Sequence, residues 1–96
     1  MTAYVIADIN VHDQDTYREY VALVPGTLEP YGGRFLVRGG GCETLEGGWQ
    51  PRRVVVIEFP SAEHARRWFT SAEYTAAAAI RHRASTGSLV LAEGAA

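Results

Sequence analysis

Between Ala3 and Val11 the chain alternates: Val5, Ala7, Ile9 and Val11 fall on one side, Tyr4, Ile6, Asp8 and Asn10 on the other. A period of two is the signature of a strand. Beyond Asp13, a good N-cap, the period lengthens. Tyr17, Tyr20, Val21, Val24, Leu28 and Tyr31 make one stripe at helical spacing. Pro25-Gly26 predicts a kink or break in this helix, and Gly32-Gly33 its end. Arg34–Arg38 reads as a second strand. Gly39-Gly40-Gly41 permits a bulge or bend, after which the strand is expected to resume over Cys42–Leu45. Gly47-Gly48 supplies a hairpin turn, and the β-branched Arg53–Phe59 is the third strand, stopped by Pro60. Ser61 caps a second helix with Ala65, Trp68 and Phe69 on its apolar side. Ser71 with Glu73 marks a break and a new helical segment from about Ala72 to Ala84. Gly87 ends that region, Ser88–Glu93 is the last strand, and Gly94-Ala95-Ala96 is a frayed end.

The order β-α-β-β-α-β predicts an α+β ferredoxin-like sandwich in one domain, residues 1–96, with an antiparallel sheet and the helices on one face. Val5, Ala7 and Ile9, with Val55, Ile57 and Phe59, are expected to face the helices. Tyr4, Ile6, Leu36, Val54 and Val56 are left on the other face. Uncovered apolar surface of this width marks an interface, and a two-fold homodimer is the commonest way to cover it.

Several separated blocks also carry a family resemblance. They are Tyr4-Val5-Ile6-Ala7-Asp8, Tyr17-x-x-Tyr20, the run from Tyr31 to Gly40, the run from Pro51 to Ser61, and Trp68-x-x-Ser71-x-Glu73-Tyr74. Together they span nearly the whole chain and resemble the domain-of-unknown-function family numbered 1330. The resemblance implies a dimeric α+β barrel, in which two ferredoxin-like sheets face each other. That wider superfamily includes cofactor-free monooxygenases, lactone isomerases and haem enzymes, so the fold carries almost no functional weight. No catalytic residue comes over with it.

Composition narrows the chemistry. The 96 residues carry nine basic and eleven acidic side chains, a net charge of −2, and every basic residue is Arg. A net acidic chain without a basic stripe argues against nucleic acid as the main partner. No apolar run approaches the roughly 18 residues of a membrane span. The single Cys42 excludes an internal disulfide and any Cys-rich metal site. The first residues lack a basic leader, and Asp8 interrupts their apolar run early, so a cytoplasmic protein is expected.

The strongest candidate site is polar residues on the sheet face away from the helices. If the first and third strands run parallel and adjacent, Asp8 and Glu58 lie near each other. Two carboxylates close together in low dielectric cannot both ionise cheaply, and such a pair is what proton transfer needs. Hairpin register brings Arg34 near Glu58 and leaves Arg38 on the same face, either able to hold an anionic substrate group, and Tyr4 is expected to donate a hydrogen bond to an oxyanion. The catalytic candidates are thus Asp8, Glu58 and Tyr4, the substrate-binding candidates Arg34 and Arg38.

Two readings stay open. One is a cofactor-independent enzyme acting on a small anionic, partly apolar molecule, its cavity between helices and sheet or between two sheets. The other is a non-catalytic binding or assembly dimer whose buried charges fix its register. His82, between Arg81 and Arg83 near a helix C-terminus, complements the helix dipole, or marks an anion or substrate-carboxylate site at the rim. A single His, His64 or His82, is weak support for haem ligation, and no two His residues have zinc-ligand spacing. Tyr17, Tyr20, Trp68, Phe69 and Tyr74 read as core, whereas Tyr31 and Trp49 fall beside loops, at a pocket mouth or a dimer seam.

Overall fold

A computed structural model describes residues 1–95. Strand β1 (Ala3–Val11) is followed by α1 (Gln14–Leu28), a 3₁₀ turn (Glu29–Tyr31), β2 (Arg34–Arg38), β3 (Val54–Phe59), α2 (Ala62–Thr70), α3 (Ala72–Ala84) and β4 (Ser85–Glu93). The caps form where the sequence puts them. Asp13 Oδ1 accepts from the Thr16 amide at 3.1 Å, Ser61 Oγ from His64 at 3.2 Å, and Ser71 Oγ from Tyr74 at 3.2 Å.

The sheet has four strands in the order β2-β3-β1-β4, each pair antiparallel. The helices lie on one face only, and the shortest dimension is 17 Å, room for one helical layer on one sheet. The ferredoxin-like topology is as expected, but the α+β barrel is not: the sheet is open, with β2 and β4 as its unpaired edges. Four strands, one of them five residues long, cannot bend round and pair their edges.

The core is the helix-facing row of the sheet, Val5, Ala7, Ile9, Ile57 and Phe59, packed under Tyr17, Tyr20, Val24, Leu28, Trp68 and Tyr74. Trp68 and Tyr74 are fully buried, with ring centroids 3.9 Å apart. Their polar atoms are satisfied inside: Trp68 Nε1 donates to Thr27 Oγ1 at 3.0 Å, and the Tyr20 and Tyr74 hydroxyls share a hydrogen bond of 2.9 Å.

Four local expectations are corrected. Helix α1 runs through Pro25-Gly26 without a break. The segment 39–53 contains no strand, so Cys42–Leu45 does not pair and Gly47-Gly48 lies in a long loop instead of a hairpin turn. The bulge sits inside β2, between Phe35 and Val37, and Gly39 makes the bend that is the other expectation for Gly39-Gly40-Gly41. Strand β4 starts at Ser85, so Gly87 lies within it, opposite Ile9. At the chain end, Gly94 is tied by its amide to Thr2 O at 2.7 Å, and Ala96 lies outside the described residues.

Candidate functional site

The antiparallel register decides which candidates meet. Tyr4 lies opposite Glu58 and Asp8 opposite Val54. The expectation of parallel strands is overturned, and with it the carboxylate pair. Asp8 and Glu58 are separated by the strand length from Asp8 to Tyr4, roughly 13 Å. Arg34, paired with Glu58 across β2–β3, donates from Nε to Glu58 Oε1 at 2.7 Å. Arg34, Glu58 and Tyr4 therefore form one row across the helix-free face. Arg34 is mostly exposed, so this ion pair is weak in energy.

Asp8 sits further along the same face and does different work. Its Oδ2 accepts from Trp49 Nε1 at 2.9 Å and its Oδ1 from the Arg52 amide at 3.0 Å. These bonds, the indole first, hold its pKa below the usual 3.8. Asp8 is thus a fixed carboxylate that pins the long loop after β2, not half of a proton-sharing pair. Trp49 and Asp8 line a groove of about 360 Å³ together with Ile6, Asn10, Arg52, Ser88 and Val90.

Arg38 is on the other face. The bulge after Phe35 adds one residue to β2 and inverts the alternation, so Arg38 lies opposite Val55, on the helix side. Its guanidinium stacks 4.2 Å from the Phe35 ring centroid and donates to Val21 O of α1 at 2.9 Å.

On this helix side lies a cavity that sequence reasoning placed only in outline. Val5, Ala7, Ile9, Val24, Ile57 and Trp68 give it an apolar wall, Tyr17 and Tyr20 lie to one side, and Arg38, Arg53 and Arg81 border it. No Asp or Glu does. Its free volume is about 30 Å³, room for one water molecule. Arg53 stacks 5.3 Å from Tyr17 and Arg81 6.0 Å from Tyr20. Arg53 also explains Gly39, where φ is +71° and a Cβ would run into the guanidinium.

Arg81 is the most unusual of the three. Only 6% of it is exposed. One terminal nitrogen is 3.1 Å from His82 Nε2, and its buried Nε has no hydrogen-bond partner, as is also true of Arg53 Nε. Among the described residues neither takes part in an ion pair; the pairs present are Arg18–Asp15, Arg34–Glu58 and Arg67–Glu63. Tyr20 does not supply the missing charge. Burial, and then its neighbour Tyr74, push its pKa far above the ordinary 10.0, so it stays neutral. The C-terminal end of α3 offsets part of the charge on Arg81 and no more.

The sequence raises Arg81 only beside His82, as part of an anion or carboxylate site at the rim, and does not single out Arg53. Arg81 did carry a signal: Tyr74, Ala77, Ala78, Arg81 and Ala84 are all buried on α3, and the arginine interrupts that apolar stripe. Arg53 carried a weaker one: as the first residue of the expected strand Arg53–Phe59 it alternates in step with the helix-facing Val55, Ile57 and Phe59. Tyr17 and Tyr20 were read as core; they are core and cavity wall at once. His12, His64 and His82 are all exposed, and no group of three or more His, Cys, Asp or Glu among the described residues is placed to hold a metal ion.

An open ferredoxin-like sheet under one helical layer, with an arginine-bordered cavity between the layers, defines the class of this protein. The chain belongs to the family Domain of unknown function (DUF1330), which residues 2–95 match. No curated protein is significantly similar to it. Solved structures share its fold. A protein of unknown function from Rhodopseudomonas palustris is 16% identical with a TM-score of 0.78, covering 99% of this chain and 83% of that one. A dimeric ferredoxin-like protein from Jannaschia sp. CCS1 is 11% identical with a TM-score of 0.73, covering 98% and 100%. The cofactor-independent oxygenase SnoaB from Streptomyces nogalater is 14% identical with a TM-score of 0.67, covering 99% and 94%.

Proposed function

We propose that this protein binds a small, partly apolar anion whose charged group sits against Arg81, at the cavity between its helices and its sheet. One observation carries the reading: Arg81 is buried beside that cavity with a free Nε and no counter-anion. A buried unpaired charge is costly, and a bound carboxylate supplies both the missing charge and the missing acceptor. Arg53, which borders the same cavity, supplies a second free Nε. The acid–base chemistry expected of Asp8 with Glu58 is not carried forward, because the two carboxylates stand apart on the other face.

Isothermal titration calorimetry with benzoate and butanoate tests the proposal. Saturable binding is expected, weakened at least tenfold in Arg81→Gln, which keeps the size of the side chain and loses its charge. An unchanged affinity in the variant, or no binding to the wild type, overturns it.

The helix-free face has a separate use. Leu36, Val37 and Val90 are exposed large apolar residues, and Ile6 and Val56 lie half-buried on the same face. The Jannaschia relative is described as dimeric. The reading for this chain is a two-fold homodimer with these faces in contact, each sheet remaining open, and sedimentation velocity on a Val90→Asp variant tests it.

A further inference from the structure

The inner cavity is too small for a whole organic molecule, which raises the question of where the rest of the ligand lies. Arg81 and Leu89 border the cavity and also a surface depression of about 380 Å³ at the end of α3. Val5 and Leu89 continue from the cavity into a groove of about 280 Å³ between α2 and the edge strand β4. Ala65, Phe69, Thr70 and Leu91 line this groove, and Phe69 is half exposed over it. No Asp or Glu borders any of the three spaces. Phe69 and Leu89 line both the depression and the groove, so shared walls lead from a buried guanidinium without a counter-charge to a largely apolar trough at the sheet edge.

From this continuity we infer that the ligand is an amphiphilic monocarboxylate. Its carboxylate sits against Arg81, and an unbranched or flat apolar body lies in the groove between Phe69 and Leu89. The inference rests on the anion-binding reading above and adds the ligand's shape and its route of entry, past β4. The assignment fits the chemistry at each end. At the head site Arg81 and Arg53 each have a free Nε, and no Asp or Glu competes with a carboxylate. The trough has almost nothing polar beyond Thr70 and Arg66, and a shorter ligand leaves it wet.

The test is a chain-length series, butanoate, hexanoate and octanoate, titrated below micelle-forming concentrations into wild type, Phe69→Ser and Arg81→Gln. Each methylene buried contributes about 0.8 kcal/mol, so affinity should rise roughly fourfold per methylene in the wild type. Phe69→Ser should flatten that dependence while leaving butanoate affinity nearly unchanged, and Arg81→Gln should weaken all three. Circular dichroism checks that both variants are folded. If butanoate binds through Arg81 but affinity is flat with length, or rises equally in Phe69→Ser, the groove assignment is overturned and the anion site stands. If no carboxylate binds the wild type, both fall.

Discussion

The carbonyl of Val21 shows how one residue can undo a sequence rule. Pro25 has no amide hydrogen, so the oxygen four residues earlier loses its helical donor. Here that oxygen is Val21 O, and it accepts from the Arg38 guanidinium. The replacement donor comes from β2 and explains why α1 does not break. In Arg38→Ala, urea unfolding should show a loss of about 1 kcal/mol. In a Pro25→Ala background, where the helical N–H is restored, the same change should cost clearly less. Equal costs in both backgrounds would show that the two residues are not coupled. Asp8 gives a second prediction at this scale. Its folded pKa lies below 3.8, so its hydrogen bonds stabilise the fold fully above about pH 4, and that contribution is lost as pH falls through the lowered value. Asp8→Asn should therefore melt lower than wild type at pH 7, and the gap should close on acidification. A gap that stays constant to pH 2 would mean that the charge of Asp8 is irrelevant.

Among the elements, those set by short-range rules were legible in the sequence. Asp13, Ser61 and Ser71 cap where they should, and α3 spans the predicted Ala72–Ala84. The misreadings fall where a distant partner decides. Gly87 looked like a terminator, yet it continues β4 because a side chain there would strike Asp8 O and crowd Ile9 of β1. Glycine is thus present for close approach of two backbones and not for a turn. Gly87→Ala should cost about 2 kcal/mol or more in urea unfolding. Gly26→Ala, on the exposed side of α1 with no atom near its would-be Cβ, should instead stabilise by roughly 0.5–1 kcal/mol. The segment Cys42–Leu45 failed as a strand for a similar reason. Beyond Val54, β3 offers it no partner, since the loop is drawn off to Asp8 through Trp49 and Arg52.

At the scale of the whole molecule, one sheet has two faces with different tasks. The covered face builds the core and the arginine-bordered cavity. The bare face presents Leu36, Val37 and Val90 to its surroundings. If it joins two copies, Val90→Asp places an unpaired charge in the seam and should weaken association at least tenfold, read as a shift from dimer to monomer in sedimentation velocity at micromolar concentration. Wild type that sediments as a monomer throughout would remove the dimer. The groove beside Asp8 and Trp49 opens on this same face, so dimer formation would alter access to it. No helix among the described residues is long and apolar enough to cross a membrane.

The sequence by itself determined the element order, the caps, the buried row of β1 and β3, and the unequal faces of the sheet, because periodicity and capping act over a few residues. It also put Arg34 beside Glu58. The tertiary structure decided the rest of the site. Antiparallel pairing of β1 with β3 separated Asp8 from Glu58, and a single bulged residue sent Arg38 to the opposite face. Burial of Arg81, and of the Nε of Arg53, followed from packing α1 and α3 over the sheet, a contact between segments far apart in the chain. Strand direction, register and cavity formation depend on such long-range contacts, and a local pattern of apolar and polar residues does not encode them one residue at a time.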